Sequence, residues 1–373
     1  MFPLKPKEGP STSAQGRAER LNKRRKIIVD DKESRIPDVG NEVVVEEPSQ
    51  QVKEEIDEIG FTDIGVNCTL ISDKSLRWSI SRLENDAKAI QFYTGLRDYK
   101  HFRLVFNLLG KAAYHLKYKC SLLPPIDQFF MTMIKLRLNK PDVELSFMFN
   151  VSTSTVSTLF NTWVNFMYYQ FKEINIWPSR KIVDDHMPTG FKAMFPTTRV
   201  ILDATEVPII KPSNVVAQSA TFSTYKNKNT LKTMIGITPR GAVSHISESY
   251  GGCASDRQII ERSDLLEKGK FESGDSIMAD RGIMVQDLFA SKNVKVNTPH
   301  MLKGKSQLEA HEVVYDRRIA SKRIHIERVI GYGKTFKILK EGLQVSQVNN
   351  GSRIIYICFF LTNLRKCIVS ETA

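Results

Sequence analysis

The stretch Arg199-Val-Ile-Leu-Asp-Ala-Thr-Glu-Val-Pro-Ile-Ile210 decides how this chain is read. Val200, Ile201 and Leu202 make a β-rich apolar run that reaches Asp203, and Val207, Pro208 and Ile209 follow almost at once. Continuous apolar runs of this kind read as strands buried on both faces. A carboxylate inside such a strand is costly unless its charge is compensated. Two compensations fit: an ion pair within the fold, or a bound metal ion. The choice turns on whether other carboxylates are carried to the same place.

Downstream, Leu231–Thr238 and Ala242–Ser249 read as strands joined by a hairpin turn at Pro239-Arg-Gly241. Gly251-Gly252 then leads to Asp256, which reads as the cap of a helix over Arg257–Leu266. Asp275-Ser-Ile-Met-Ala-Asp-Arg-Gly282 is a second short buried strand, ending in Asp280, with Gly282 allowing a sharp turn. Gln286–Asn293 reads as a helix, Val294–Thr298 as a last strand, and Leu308–Leu339 as a long amphipathic helix. This alternation predicts an α/β domain with a mixed sheet over residues 199–370.

Upstream, Trp177-Pro178, Met187-Pro188 and Phe195-Pro196 punctuate an irregular linker, residues 176–198. Residues 61–175 read as helical, starting with a helix around Ser75–Asn85 and another over His101–Leu109. Within them, Ile126, Phe129, Phe130, Met133, Ile134 and Leu138 recur at helical spacing. Asn139-Lys-Pro141 stops that helix and Asp142 caps the next. After the turn Asn150-Val-Ser152, Ser152 caps a third helix through Thr153, Ser154, Thr155 and Val156. Helix, tight turn, then a helix opening in Ser/Thr is the plan of a helix-turn-helix, here over 124–172. Its alternative is a three-helix packing unit without nucleic acid. In the helix-turn-helix plan, the hydroxyls of Ser152, Thr153, Ser154 and Thr155 and the helix N-terminal amides meet DNA.

The net charge of +13 is unevenly spread over the 373 residues. Residues 1–26 hold eight Lys/Arg against two acids, residues 27–60 hold three against eleven, and the remainder carries +15. Residues 1–60 lack aromatics after Phe2 and are rich in charge, Ser, Pro and Gln, which predicts a disordered tail. Within it, Arg17–Lys26 is a basic cluster of nuclear-localisation type. The basic remainder implies a polyanionic partner, most simply nucleic acid. Five cysteines, odd in number and without a CxxC pair, argue against a disulfide framework or zinc finger and point to a reducing compartment. The run Ile354–Leu361 is too short to span a bilayer and no signal peptide opens the chain, so no membrane partner is expected.

Three carboxylates stand out: Asp203 in the first strand, Asp280 ending a later one, and Glu327 on the long helix. Hard divalent cations take carboxylate, water and phosphate oxygens. Two such ions about 4 Å apart serve phosphodiester cleavage by activating one oxygen and stabilising another. Arg281 and Arg328, each next to one of these carboxylates, suit phosphate. By spacing alone the set is weak, because carboxylates are abundant.

The ordered motifs Leu202-Asp-Ala-Thr-Glu-Val-Pro-Ile209, Gly251-Gly-Cys-Ala-Ser-Asp-Arg257, Met278-Ala-Asp-Arg-Gly282 and Ile326-Glu-Arg-Val-Ile-Gly331 together resemble the PIF/Harbinger-type DDE transposases. The resemblance covers roughly residues 90–365 and is strongest to the branch attached to THAP zinc domains. Phe92-Tyr-Thr-Gly-Leu96 and Val151-Ser-Thr-Ser-Thr-Val-Ser157 resemble that branch's helix-turn-helix region. The resemblance implies a ribonuclease H-like mixed sheet with flanking helices behind an all-α helix-turn-helix. It implies a metal triad on Asp203, Asp280 and Glu327 holding Mg²⁺ or Mn²⁺, with water and then a DNA 3′-hydroxyl attacking phosphodiesters. Asp256 also falls in a family motif and stands as the alternative second ligand. Asp280 is preferred because it ends an apolar strand, whereas Asp256 reads as a helix cap. Ala204 stands where the family commonly has Gly, and residues 1–60 hold no cysteine for a THAP zinc domain. Target choice then falls to the helix-turn-helix or to a partner protein, and a homo-oligomer is also open. The expected protein is a nuclear DNA endonuclease or transposase. The alternative is a domesticated DNA-binding or scaffolding protein that keeps the fold without cleaving.

Overall fold

The computed structural model of the chain describes residues 77–116, 120–302 and 304–373. The expected tail over 1–60, with its basic cluster, lies outside them. The centre strand is β1 (Thr198–Pro208), which takes in Arg199–Pro208 of the apolar run around Asp203. On one side it pairs antiparallel with β3 (Lys228–Ile237), from Ile201↔Ile237 to Pro208↔Thr230. Strand β4 (Val243–Ile246) follows antiparallel on β3. On the other side of β1, β6 (Ser276–Met278) and β7 (Lys295–Asn297) continue the sheet in parallel. Short β2 (Phe222–Ser223) and β5 (Tyr250–Gly251) pair with the start of β3. Three antiparallel strands followed by two parallel ones is the ribonuclease H-like mixed sheet.

Side chains alternate across β1, so its two faces feed different cores. Ile201 and Val207 join Ile235, Ile237 and Met278 on one face; Val200 and Leu202 join Met234, Ile277 and Ala279 on the other. The first face is covered by helices from both ends of the described chain, including Ile319, Ile326 and Ile357. The second is covered by Ile259, Ile260 and Phe289. Both faces of the centre strand are therefore dry, which explains its continuous apolar composition.

Among the described residues, the helical region starts with a 3₁₀ turn at Ile80–Leu83, and residues 77–85 form no longer helix of the kind expected around 75–85. Helix α1 (Ala87–Thr94) follows, ended by Gly95 in the left-handed region at φ 77°, and α2 (Tyr99–Leu108) is capped by Asp98. The helix-turn-helix consists of α3 (Pro125–Leu138), α4 (Asp142–Phe149) and α5 (Thr153–Lys172). Asn139 and Asn150 adopt left-handed conformations at the ends of α3 and α4, as short polar side chains tolerate. Asp142 is not the cap of α4: Pro141 occupies that position, and the Asp142 carboxylate pairs with Lys135. Trp163 is fully buried, and its indole N–H donates to Gln128 Oε1 at 3.0 Å. The expected linker is not irregular throughout, since α6 (Arg180–Asp185) and α7 (Thr189–Met194) lie within it. Proline at their flanks marks their boundaries rather than preventing helix.

Between β1 and β2 runs α8 (Val215–Thr221). After β5 comes α9 (Asp256–Glu261), then α10 (Gln286–Ala290) between β6 and β7. The expected long helix divides after Gly333 into α11 (Ala310–Gly333) and α12 (Lys337–Glu341). Short α13 (Val345–Val348) leads into α14 (Gly351–Asn363), where the apolar run Ile354–Leu361 is buried all round. Phe360 of α14 stacks on Phe171 of α5 at 4.2 Å, fastening the helix-turn-helix to the sheet domain through shared core.

Candidate active site

Extending the β1–β6 register explains why Asp203 and Asp280 meet. Ile201 pairs with Met278 across parallel strands, and both aspartates stand two residues further on. A step of two keeps a side chain on its face. Asp203 and Asp280 therefore lie beside each other, on the face that α11 covers. Asp203 is largely buried; Asp280, just past its strand, is about half exposed.

The charges around this pair are unequal. Burial pushes the Asp203 carboxyl up from an ordinary 3.8 to about 6. The Arg323 cation and the Ala204 N–H oppose that rise, while Asp280 and Asp256 add to it. Arg323, on α11, donates from Nη1 to Asp280 Oδ1 at 3.0 Å, and its own side chain is 11% exposed. The Arg281 N–H caps the same Asp280 oxygen at 2.7 Å. Two carboxylates on one face thus share one buried guanidinium.

Glu327 stands one turn after Arg323 on α11, with its side chain exposed. Lys334 follows at the C-terminal end of α11 and donates to the Glu206 carbonyl at 3.1 Å. Residues four and seven apart share a helix face. Arg323 and Lys334 both reach β1 or its neighbour, so Glu327 lies on the site side of the helix between them. It forms no hydrogen bond or ion pair with the described residues. Arg328, next to it, is exposed.

Asp256 is not a helix cap. Ser255 caps α9, accepting from the Gln258 N–H in a capping box, and Asp256 is the first helical residue. Its carboxylate pairs with Lys232 at 2.7 Å. Lys232 stands opposite Glu206, an even-numbered β1 position, so that pair belongs to the other face of the sheet. The ground first used to set Asp256 aside was therefore wrong, and the sheet's alternation supplies a different one. Asp256 still lies close enough to act on the charge of Asp203.

The motif Gly251-Gly252 has a packing reason. A Cβ on Gly251 would stand 2.1 Å from the Ala220 carbonyl oxygen, and one on Gly252 would stand 2.8 Å from that of Thr221. Only glycine lets β5 pass this close to the end of α8.

As a metal site, the donor types and the shared face of Asp203 and Asp280 suit a hard divalent cation. Among the described residues, no three Asp, Glu, His or Cys side chains already converge at ligand distance.

At the helix-turn-helix, Ser152 Oγ accepts from the Thr155 N–H at 3.1 Å and bonds the Ser154 and Thr155 hydroxyls at 2.8 and 2.9 Å. Ser152, Thr153 and Ser154 are exposed and Thr155 is half-buried. Arg281 is half exposed and lies 3.8 Å from Asp316, which His300 also engages. Sequence reading did not single out Arg323, Lys232 or Lys334 as site residues. For Arg323 the signal was there, as a cation four residues before Glu327 on a helix already read as amphipathic.

Residues 202–363 match the family described as DDE superfamily endonuclease. Residues 120–173 match the one described as helix-turn-helix of DDE superfamily endonuclease. No curated protein matches the chain. No helix among the described residues is long and apolar enough to cross a membrane. Over these two segments the chain is similar to a DDE superfamily endonuclease domain preceded by that superfamily's helix-turn-helix.

Proposed function

We propose that this protein is a PIF/Harbinger-type transposase, a nuclear DNA endonuclease dependent on Mg²⁺ or Mn²⁺, with Asp203, Asp280 and Glu327 as its carboxylate triad. The observation that carries this reading is the juxtaposition of Asp203 and Asp280 on neighbouring parallel strands, facing the helix that bears Glu327. Held by these three, a divalent ion supplies the positive charge that phosphodiester cleavage requires. Asp203 is fixed by its strand and by the N–H of Ala204, so its oxygens keep one orientation. Arg323 holds Asp280 and offsets carboxylate repulsion before substrate arrives. Arg281 and Arg328 are exposed enough to meet DNA phosphates. Thr153 leads the helix-turn-helix contact, because the hydroxyls of Ser152, Ser154 and Thr155 bond one another. The basic cluster Arg17–Lys26 supports nuclear import; replacing Lys23–Lys26 with Ala should abolish nuclear accumulation of a tagged chain.

The decisive test is cleavage of plasmid DNA with Mg²⁺ or Mn²⁺ by the native chain, Asp203→Asn and Glu327→Gln. Nicking by the native chain alone is expected, and equal behaviour of all three removes the triad. The second reading is a DNA-binding or scaffolding protein that does not cut. It draws support from Arg323, which already supplies a cation to Asp280. Calorimetric titration with Mn²⁺ separates the two, since the second reading expects no binding heat that Asp203→Asn abolishes.

A further inference from the structure

Beyond the carboxylates, the connection from β1 to β3 builds a surface that the triad chemistry leaves unused. Helix α8 and the β2–β3 hairpin enclose an open groove of about 810 Å³, lined by Lys211, Gln218, Phe222, Lys228 and Asn229 among others. Among the described residues no Asp or Glu lines it. The hairpin turn, Thr224–Asn227, is made possible by Asn227 in the left-handed region at φ 51°. Its tip carries Tyr225, which is 83% exposed, with the Lys226 ammonium 4.3 Å from the ring centroid. The groove lies along the same strand as Asp203: Ile209, which lines it, directly follows β1, and Lys334 donates to the carbonyl of Glu206, which stands between the two.

An aromatic ring left in water beside lysines has no packing role in the fold. The combination fits a nucleic-acid strand, whose bases stack on aromatics while its phosphates meet ammonium groups. A groove of this volume takes a small ligand rather than a duplex. We infer that Tyr225, with Lys211, Lys226 and Lys228, forms a binding site for an unpaired nucleotide of the DNA strand that runs on to the carboxylates. The inference deepens the endonuclease reading and rests on it for the placement of the cut strand. Lys226 occupies one side of the ring, leaving the other for a base.

The test is binding of the full chain, in EDTA so that no cleavage intervenes, to two DNAs of equal length. One is fully paired; the other has a splayed end carrying 2-aminopurine as its unpaired base. The native chain should prefer the splayed DNA by roughly tenfold, the scale of one stacking contact, and should quench the 2-aminopurine. Tyr225→Ala should lose both preference and quenching while keeping its affinity for paired DNA. Tyr225→Phe should retain both, because stacking needs the ring and not the hydroxyl. The inference is overturned if Tyr225→Ala still discriminates, or if the native chain binds both DNAs equally or neither. Discrimination by the native chain without any cutting in Mg²⁺ or Mn²⁺ would remove the endonuclease reading and leave the nucleotide site standing.

Discussion

Asp203 combines a structural cost with a proposed chemical role. Its folded-state carboxyl titrates near 6, above the ordinary 3.8, because burial disfavours the charged form. A raised acid pKa means that folding favours the protonated form. The associated stability is present below about pH 4 and is lost as pH rises through 6. At neutral pH the native state therefore bears a penalty of at most about 3 kcal/mol, from a shift of about two units. Asp203→Asn should raise the melting temperature at pH 7.5, and the gain should shrink towards pH 4. Thermal melts across that range check it; an equal effect at both ends would show that the carboxylate is well compensated. In the native chain Mn²⁺ should also raise the melting temperature, as any ligand of the folded state does, and Asp203→Asn should lose that response. Asp203 was legible as suspicious because it interrupts an apolar run. Arg323 was legible only as a cation one turn before Glu327, because nothing in a helical Lys-Arg pair says which carboxylate it will reach.

At the scale of elements, α5 serves two functions along its length. Its N-terminus presents Ser152, Thr153 and Ser154 outward, while Trp163, Met167 and Phe171 build the core. Ser152→Ala removes the cap and should cost about 1 kcal/mol of stability; Thr153→Ala should spare stability and weaken DNA binding. Chemical denaturation beside binding titrations separates the two effects. The β5 approach to α8 allows no side chain, so Gly251→Ala should destabilise strongly by pushing on the Ala220 carbonyl, a backbone group that cannot swing aside. Soluble yield and a denaturant midpoint would show it. The helix-turn-helix was readable because the apolar residues of α3 and α5 recur at helical spacing and the intervening turns hold Asn and Pro, although α3 is buried on every side. Helix α14 was harder: a run buried on every side has no periodicity, so Ile354–Leu361 showed only that the segment is internal.

For the whole molecule, the Phe171–Phe360 stack and the Tyr168–Glu248–Ser352 hydrogen bonds join the helix-turn-helix to the sheet domain. Calorimetry should therefore show one unfolding transition for the two; well-separated transitions would mean that this junction contributes little. Phe171→Ala should lower that single transition by about 3–5 kcal/mol, the usual scale for a buried aromatic. The chain's +13 charge gives the other expectation. DNA affinity should fall steeply with salt, with a log–log slope near −0.9 for each phosphate neutralised. A flat dependence would exclude the phosphate-led binding proposed for the groove and the helix-turn-helix alike.

The sequence by itself determined the buried centre strand, the alternation of strands and helices, and the order of the carboxylates, because these follow from local periodicity and from charges set in apolar runs. It could not determine which charges meet. The one-strand offset between Asp203 and Asp280, the guanidinium of Arg323 between them, the pairing of Asp256 with Lys232 on the opposite face and the exposure of Tyr225 all depend on strand register and helix rotation. Those are fixed by contacts between residues far apart in the chain, and only the folded sheet with its covering helices decides them.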